Sequence, residues 1–215
     1  MDQQEIELIN KSTKLNKFKN FIKYNSKLLI LIILIILLII GFYFFNIKSN
    51  YKSKIDNSNK FNKVILSHQN NQNINVSKEL IEIITSKDKT YSPLALYYLI
   101  ENNLIDSKQE INKYFDLIIN DLDLETNIKK INIYKKALYN ADKATEKDLF
   151  TILEPLLSEK SIWKSHATYL LAEFYYKNGE KLKAKNYYND IIGNNESNEE
   201  IRIEAQKRIQ RDLSD

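Results

Sequence analysis

The stretch Leu28 to Phe45 reads LLILIILIILLIIGFYFF, 18 residues without a charge, an amide or a proline. At about 1.5 Å of rise per residue, a helix of this length covers roughly 27 Å, close to the hydrocarbon thickness of a bilayer. Lipid offers no hydrogen-bond partners to the backbone, so a lone span in it must be helical. A core helix of the same length would carry a polar edge, and this one has none. A cleaved signal peptide is the alternative reading. Its apolar region is shorter and ends in a small-x-small site, whereas here the exit is Gly41-Phe42-Tyr43-Phe44-Phe45-Asn46. Bulky aromatic residues there suit the membrane–water interface. The expected order is therefore a basic tail (1–27), a transmembrane helix (28–45), a stalk or linker helix (46–76) and a helical domain (77–215).

Charge placement follows from that division. Residues 1–27 hold six lysines against three acids, while residues 46–215 hold 26 basic and 25 acidic residues. A nearly neutral domain lacks the electrostatic footprint of a nucleic-acid binder. Lys14, Lys17, Lys19, Lys23 and Lys27 precede the span, and Lys48, Lys52, Lys54 and Lys60 follow it with Asp56. Five against four favours a cytoplasmic N-terminus by the positive-inside rule.

The remainder is patterned for helices, and the expected class is all-α. With 3 Gly and 2 Pro in 215 residues, tight turns and hairpins have few sites, and apolar residues recur at intervals of three and four. Ile47 to Gln69 continues as a helix. Ser77 is placed to cap the next, with Leu80, Ile81 and Ile84 on one face. Ser92-Pro93 pairs an N-cap residue with a proline at the first helical position. Further helices are expected around Ile111–Ile119, over 125–141, after Thr145, over 163–178, over 181–192, and from Ser197 to about Leu213. Thr145 with Asp148, and Ser197 with Glu200, have the spacing of capping boxes. Pro155 should kink or end its helix.

Around Gly179 the residues Leu171, Ala172, Tyr175, Gly179, Ala184, Tyr188 and Ile191 resemble the tetratricopeptide (TPR) pattern, which pairs antiparallel helices into a solenoid. Small residues stand where the two helices cross, and Gly179 is suited to a left-handed helix end. Thr168 and Glu196 depart from the pattern's Trp and Pro. Weaker copies place Leu99, Asp106, Ile111, Phe115 and Ile118, then Ala137, Ala144, Leu149, Leu153 and Leu156, in the same roles. The turn positions 106, 144 and 179 lie 38 and 35 residues apart, near the 34 of the repeat.

The whole layout resembles the bacterial inner-membrane TPR proteins that are ancillary subunits of the Sec translocon. Tyr91-Ser-Pro-Leu-Ala95 resembles that family's entry to its first repeat, and Trp163, Ala167, Leu171, Gly179 and Ala184 resemble its last. The resemblance implies a periplasmic C-terminal domain, association with the Sec channel and partnership with a periplasmic chaperone. It brings no catalytic residues and no cofactor. On the groove face of a TPR would stand Tyr134 and Leu138 from one repeat, and His166, Tyr169, Glu173, Tyr176 and Lys177 from the next. They would anchor a protein partner rather than a small-molecule substrate.

Other readings compete with this one. A periplasmic TPR scaffold for envelope assembly or division uses the same architecture. A homo-oligomerising structural protein would associate through the apolar stripe Ile201, Ala205 and Ile209. An enzyme is disfavoured: the chain has no Cys and no Gly-rich loop, and its histidines, His68 and His166, stand in different elements. Asp121, Asp123 and Glu125 lack the glycine and terminal Glu of a calcium loop.

Overall fold

The computed structural model describes residues 23–71, 75–158 and 162–213. Helices and no strands occur among them, which bears out the all-α expectation. The chain divides into two compact units, Met1–Ile55 and Asp56–Asp215. The helix α1, Ser26–Gln69, extends from one into the other. Of the expected tail, residues 1–22 lie outside the described residues.

In the first unit, seven consecutive residues of α1, Leu34 to Ile40, each have 45–65 % of their surface exposed. Consecutive residues on a helix point in all directions, so the exposure encircles the axis. Among the described residues no helix is long and apolar enough to cross a membrane. The expected span falls inside α1, where the side chains at 29, 30, 32, 33, 44 and 45 lie outside the described residues.

The second unit contains the end of α1 followed by α2 (Val76–Thr85), α3 (Tyr91–Glu101), α4 (Lys108–Asp121), α5 (Thr126–Asn140), α6 (Glu146–Leu157), α7 (Ile162–Lys177), α8 (Lys181–Gly193) and α9 (Glu199–Asp212). From α2 onward each helix packs against its sequence neighbours, and α2 also meets α4, α5 meets α7, and α7 meets α9. The core follows the helical spacing: Leu80, Ile83 and Ile84 from α2, Leu96 and Leu99 from α3, Phe115 and Ile118 from α4, and Leu149, Leu153 and Leu156 from α6 are all essentially inaccessible. Ala137, Ala167, Ala172 and Ala184 are fully buried. Val64 brings the end of α1 into the same core. There the Phe61 ring lies 5.8 Å from Tyr91 and 6.5 Å from Tyr98, and His68 Nδ1 is 2.8 Å from the Tyr98 hydroxyl.

Helix ends account for the boundaries. The Thr145 capping box forms: Thr145 Oγ1 accepts from Asp148 N at 3.2 Å, and Thr145 N donates to Asp148 Oδ2 at 3.3 Å. α6 stops two residues beyond Pro155, consistent with the missing N–H. Other caps differ from expectation. α2 is capped by Asn75, which accepts from Lys78 N, and α9 by Asn198, which accepts from Ile201 N. Neither Ser77 nor Ser197 takes that place. Ser92 lies inside α3, and its hydroxyl donates to the Ile83 carbonyl at 2.9 Å. Asp88 instead receives the backbone N–H groups of Thr90 and Tyr91 at 2.8 Å each.

Gly179 has φ +82°, as its place in the pattern requires. Glu180 N donates to Tyr175 O, and Gly179 N to Tyr176 O, at 2.9 and 3.1 Å. These bonds close a Schellman end on α7. Asn103, at φ 51°, makes the same pair of bonds after α3. The left-handed residue of that link is therefore Asn103, not the aligned Asp106. The link at Ala144 contains no left-handed residue: positive φ among the described residues is confined to Asn71, Lys87, Asn103 and Gly179.

Candidate protein-binding face

Tyr134 and His166 come from α5 and α7, two helices in contact. Their rings meet edge to face at 5.7 Å. Trp163, one turn before His166, completes a three-ring cluster at 6.0 Å from Tyr134 and 5.2 Å from His166. Aromatic pairs at such separations add stability beyond their buried area. All three residues remain partly accessible, so the cluster presents a surface as well as a contact.

Leu138 stands one turn beyond Tyr134 and is 46 % exposed. It borders a cavity of about 190 Å³ between α3, α4 and α5. Phe115, which is buried, and Ile100, Tyr97 and Tyr139 supply the apolar lining, while Glu101 and Lys135 bring charge. Tyr97 is held by a 2.6 Å hydrogen bond from its hydroxyl to Asn132 Oδ1. Burial pushes its phenol far above the ordinary value. Lys135 Nζ lies 4.2 Å from the centre of the Tyr97 ring, within cation–π range.

Tyr169, Glu173 and Tyr176 are engaged by the last two helices. The Tyr169 ring lies 5.5 Å from Tyr188. Burial first, and then the Glu173 carboxylate, pushes its phenol up to about 12. Glu173 accepts from Tyr188 at 2.6 Å and from both Nε and Nη2 of Arg208 at 2.7 and 2.6 Å. Burial acts to raise the Glu173 carboxyl. The hydrogen bonds from Arg208 and Tyr188 outweigh it, and the net displacement is downward. The Arg208 guanidinium also lies 4.6 Å over the Tyr176 ring. Lys177 pairs with Asp142 at 2.6 Å, tying the end of α7 to the turn after α5.

The seven expected residues thus fall into three groups: Tyr134 with His166, Leu138 at its cavity, and Tyr169, Glu173 and Tyr176 beneath α9, with Lys177 paired apart. Tyr97, Glu101, Lys135 and Trp163 join the face without having been singled out for it. The signal for the cavity lay in the repeat alignment, because the position equivalent to Leu138 one repeat earlier is Ile100. Arg208 had no such signal, since only the docking of α9 brings it to Glu173. Away from this face, Asp121 and Asp123 pair with Lys87 and Lys89 at 2.7 and 2.6 Å.

No protein family, curated protein or solved structure matches this chain.

Proposed function

We propose that the chain is a single-span inner-membrane protein whose helical domain is a TPR-like solenoid. In this reading the domain is an adaptor that binds proteins beside the Sec translocon and links it to a periplasmic chaperone. The anchor is supported by Leu34–Ile40, apolar and exposed around the whole helix; water tolerates so large an apolar surface poorly. The TPR-like reading is supported by neighbour-on-neighbour packing with added α5–α7 and α7–α9 contacts, and by the Schellman ends at Asn103 and Gly179. The adaptor role rests on one observation above the rest: the exposed Leu138 borders a cavity together with the half-buried rings of Tyr97, from α3, and Tyr139. The span would concentrate that face at the membrane and raise the effective concentration of any partner there.

In-cell photocrosslinking tests the reading. A photoreactive residue at Leu138 is the probe, with a second at Tyr169 reporting on the part covered by α8 and α9. Sec subunits or a periplasmic chaperone among the adducts are expected from position 138. Adducts restricted to cytoplasmic proteins would reverse the topology and overturn the assignment.

The oligomeriser reading meets a specific obstacle. Ala205 is buried, and Ile201 and Ile209 pack against the domain's own core, so the stripe it needs is already used within the chain. The full-length protein should run as a monomer by light scattering in detergent.

A further inference from the structure

We infer that the cavity between α3, α4 and α5 is an anchor pocket for one large apolar side chain of a peptide that carries an acid and a base on either side of it. The inference rests on the adaptor reading and specifies its partner.

Three observations carry it. The first is size: at about 190 Å³ the cavity falls below the range of roughly 300 to 1,000 Å³ typical of small-molecule sites. It has room for a single side chain. The second is composition. Buried Phe115, Ile100 and Tyr139 offer apolar surface, and Leu138 is exposed beside them, so an entering apolar group removes surface from water on both partners. The third is charge. Glu101 and Lys135 both border the cavity, yet neither has an ion-pair partner among the described residues. Among the described residues Lys135 lies over the Tyr97 ring. Glu101 is the last residue of α3, where the helix dipole disfavours a carboxylate. Local rules of this kind are most often broken at functional sites. One unpaired charge of each sign beside one apolar cavity complements a segment carrying both signs around an apolar anchor, and disfavours a segment of uniform charge.

The test uses the full-length chain in nanodiscs of uncharged phosphatidylcholine and a phage-displayed library of random peptides, with empty discs as the reference. Peptides with a Leu, Ile, Phe or Met between an acidic and a basic residue should be enriched. For the best of these, Leu138→Asp should weaken binding at least tenfold. Lys135→Glu and Glu101→Lys should each weaken it about threefold, as expected for exposed pairs. Replacing the peptide's acid by lysine should restore binding to Lys135→Glu. Glu101 and Leu138 are exposed and Lys135 is half-buried, and unchanged helical circular dichroism would confirm that the variants fold. Enriched peptides that lack the paired charges, or that bind Leu138→Asp as well as the parent chain, would overturn the pocket assignment and leave the adaptor reading standing. No enrichment over empty discs would overturn both.

Discussion

Gly179 and Asn103 end two helices with the same pair of backbone hydrogen bonds, at φ +82° and 51°. A Cβ placed on Gly179 would meet nothing within 4 Å, so Gly179→Ala is opposed only by the left-handed backbone, at about 1–2 kcal/mol. Asn103→Gly should be neutral or slightly stabilising, because Asn already bears part of that strain. Urea denaturation followed through Trp163, the single tryptophan, measures both. Glu173 gives a residue-scale prediction in pH. Its carboxyl is depressed in the fold, so the unfolded chain takes up the proton first. The stability it contributes is complete above its ordinary value of 4.5 and is lost as pH falls toward the depressed folded value. Glu173→Gln should cost about 1–2 kcal/mol at neutral pH, allowing for partial exposure. The difference from the parent chain should shrink below pH 4.5. A gap that stays constant between pH 7 and 3 in thermal melts would disprove the assignment.

At the scale of helices, the Thr145–Asp148 box predicts that Thr145→Ala destabilises by about 1 kcal/mol, measurable by the same denaturation. That cap was legible in the sequence because both of its hydrogen bonds close within four residues. The nearby failures have the opposite cause. Ser92 has cap chemistry, but its hydroxyl is drawn to the Ile83 carbonyl on another helix, a tertiary bond that spacing does not reveal. At 75–77 and 197–198 two competent residues stand one or two positions apart, and the cap falls to the earlier one, Asn75, in the first case and to the later one, Asn198, in the second. The candidate face divides in the same way. Helical period relates Tyr134 to Leu138 and His166 to Tyr169 within their own helices, whereas the Tyr134–His166 contact lies between helices and Leu138 borders a separate cavity. What covers those side chains was not readable. Arg208 reaches Glu173 only because α9 packs on both α7 and α8, and 35 residues separate the two partners.

At the scale of the whole molecule, the proposed anchor rests on Leu34–Ile40, whose apolar side chains are exposed. None of Leu34–Ile40 belongs to the hydrophobic core of the described residues. Each fully buried Leu or Ile is worth about 1.5–3 kcal/mol, so under the proposed anchor lipid would be the favoured surroundings for such a run. Leu37 stands near the middle of the expected span. Leu37→Arg exchanges a favourable insertion term of about 0.3–0.6 kcal/mol for an unfavourable one of about 2.5–3.5 kcal/mol. The net change, about 3–4 kcal/mol, is enough to shift insertion measurably without touching the helical domain. After alkaline carbonate washing, the parent chain should stay with the membrane pellet and Leu37→Arg should be partly released. Lys52→Arg, placed beyond the apolar run, should behave as the parent does. Release of the parent chain itself would remove the anchor. The adaptor mechanism would fall with it, because that mechanism requires the binding face to be held at the membrane.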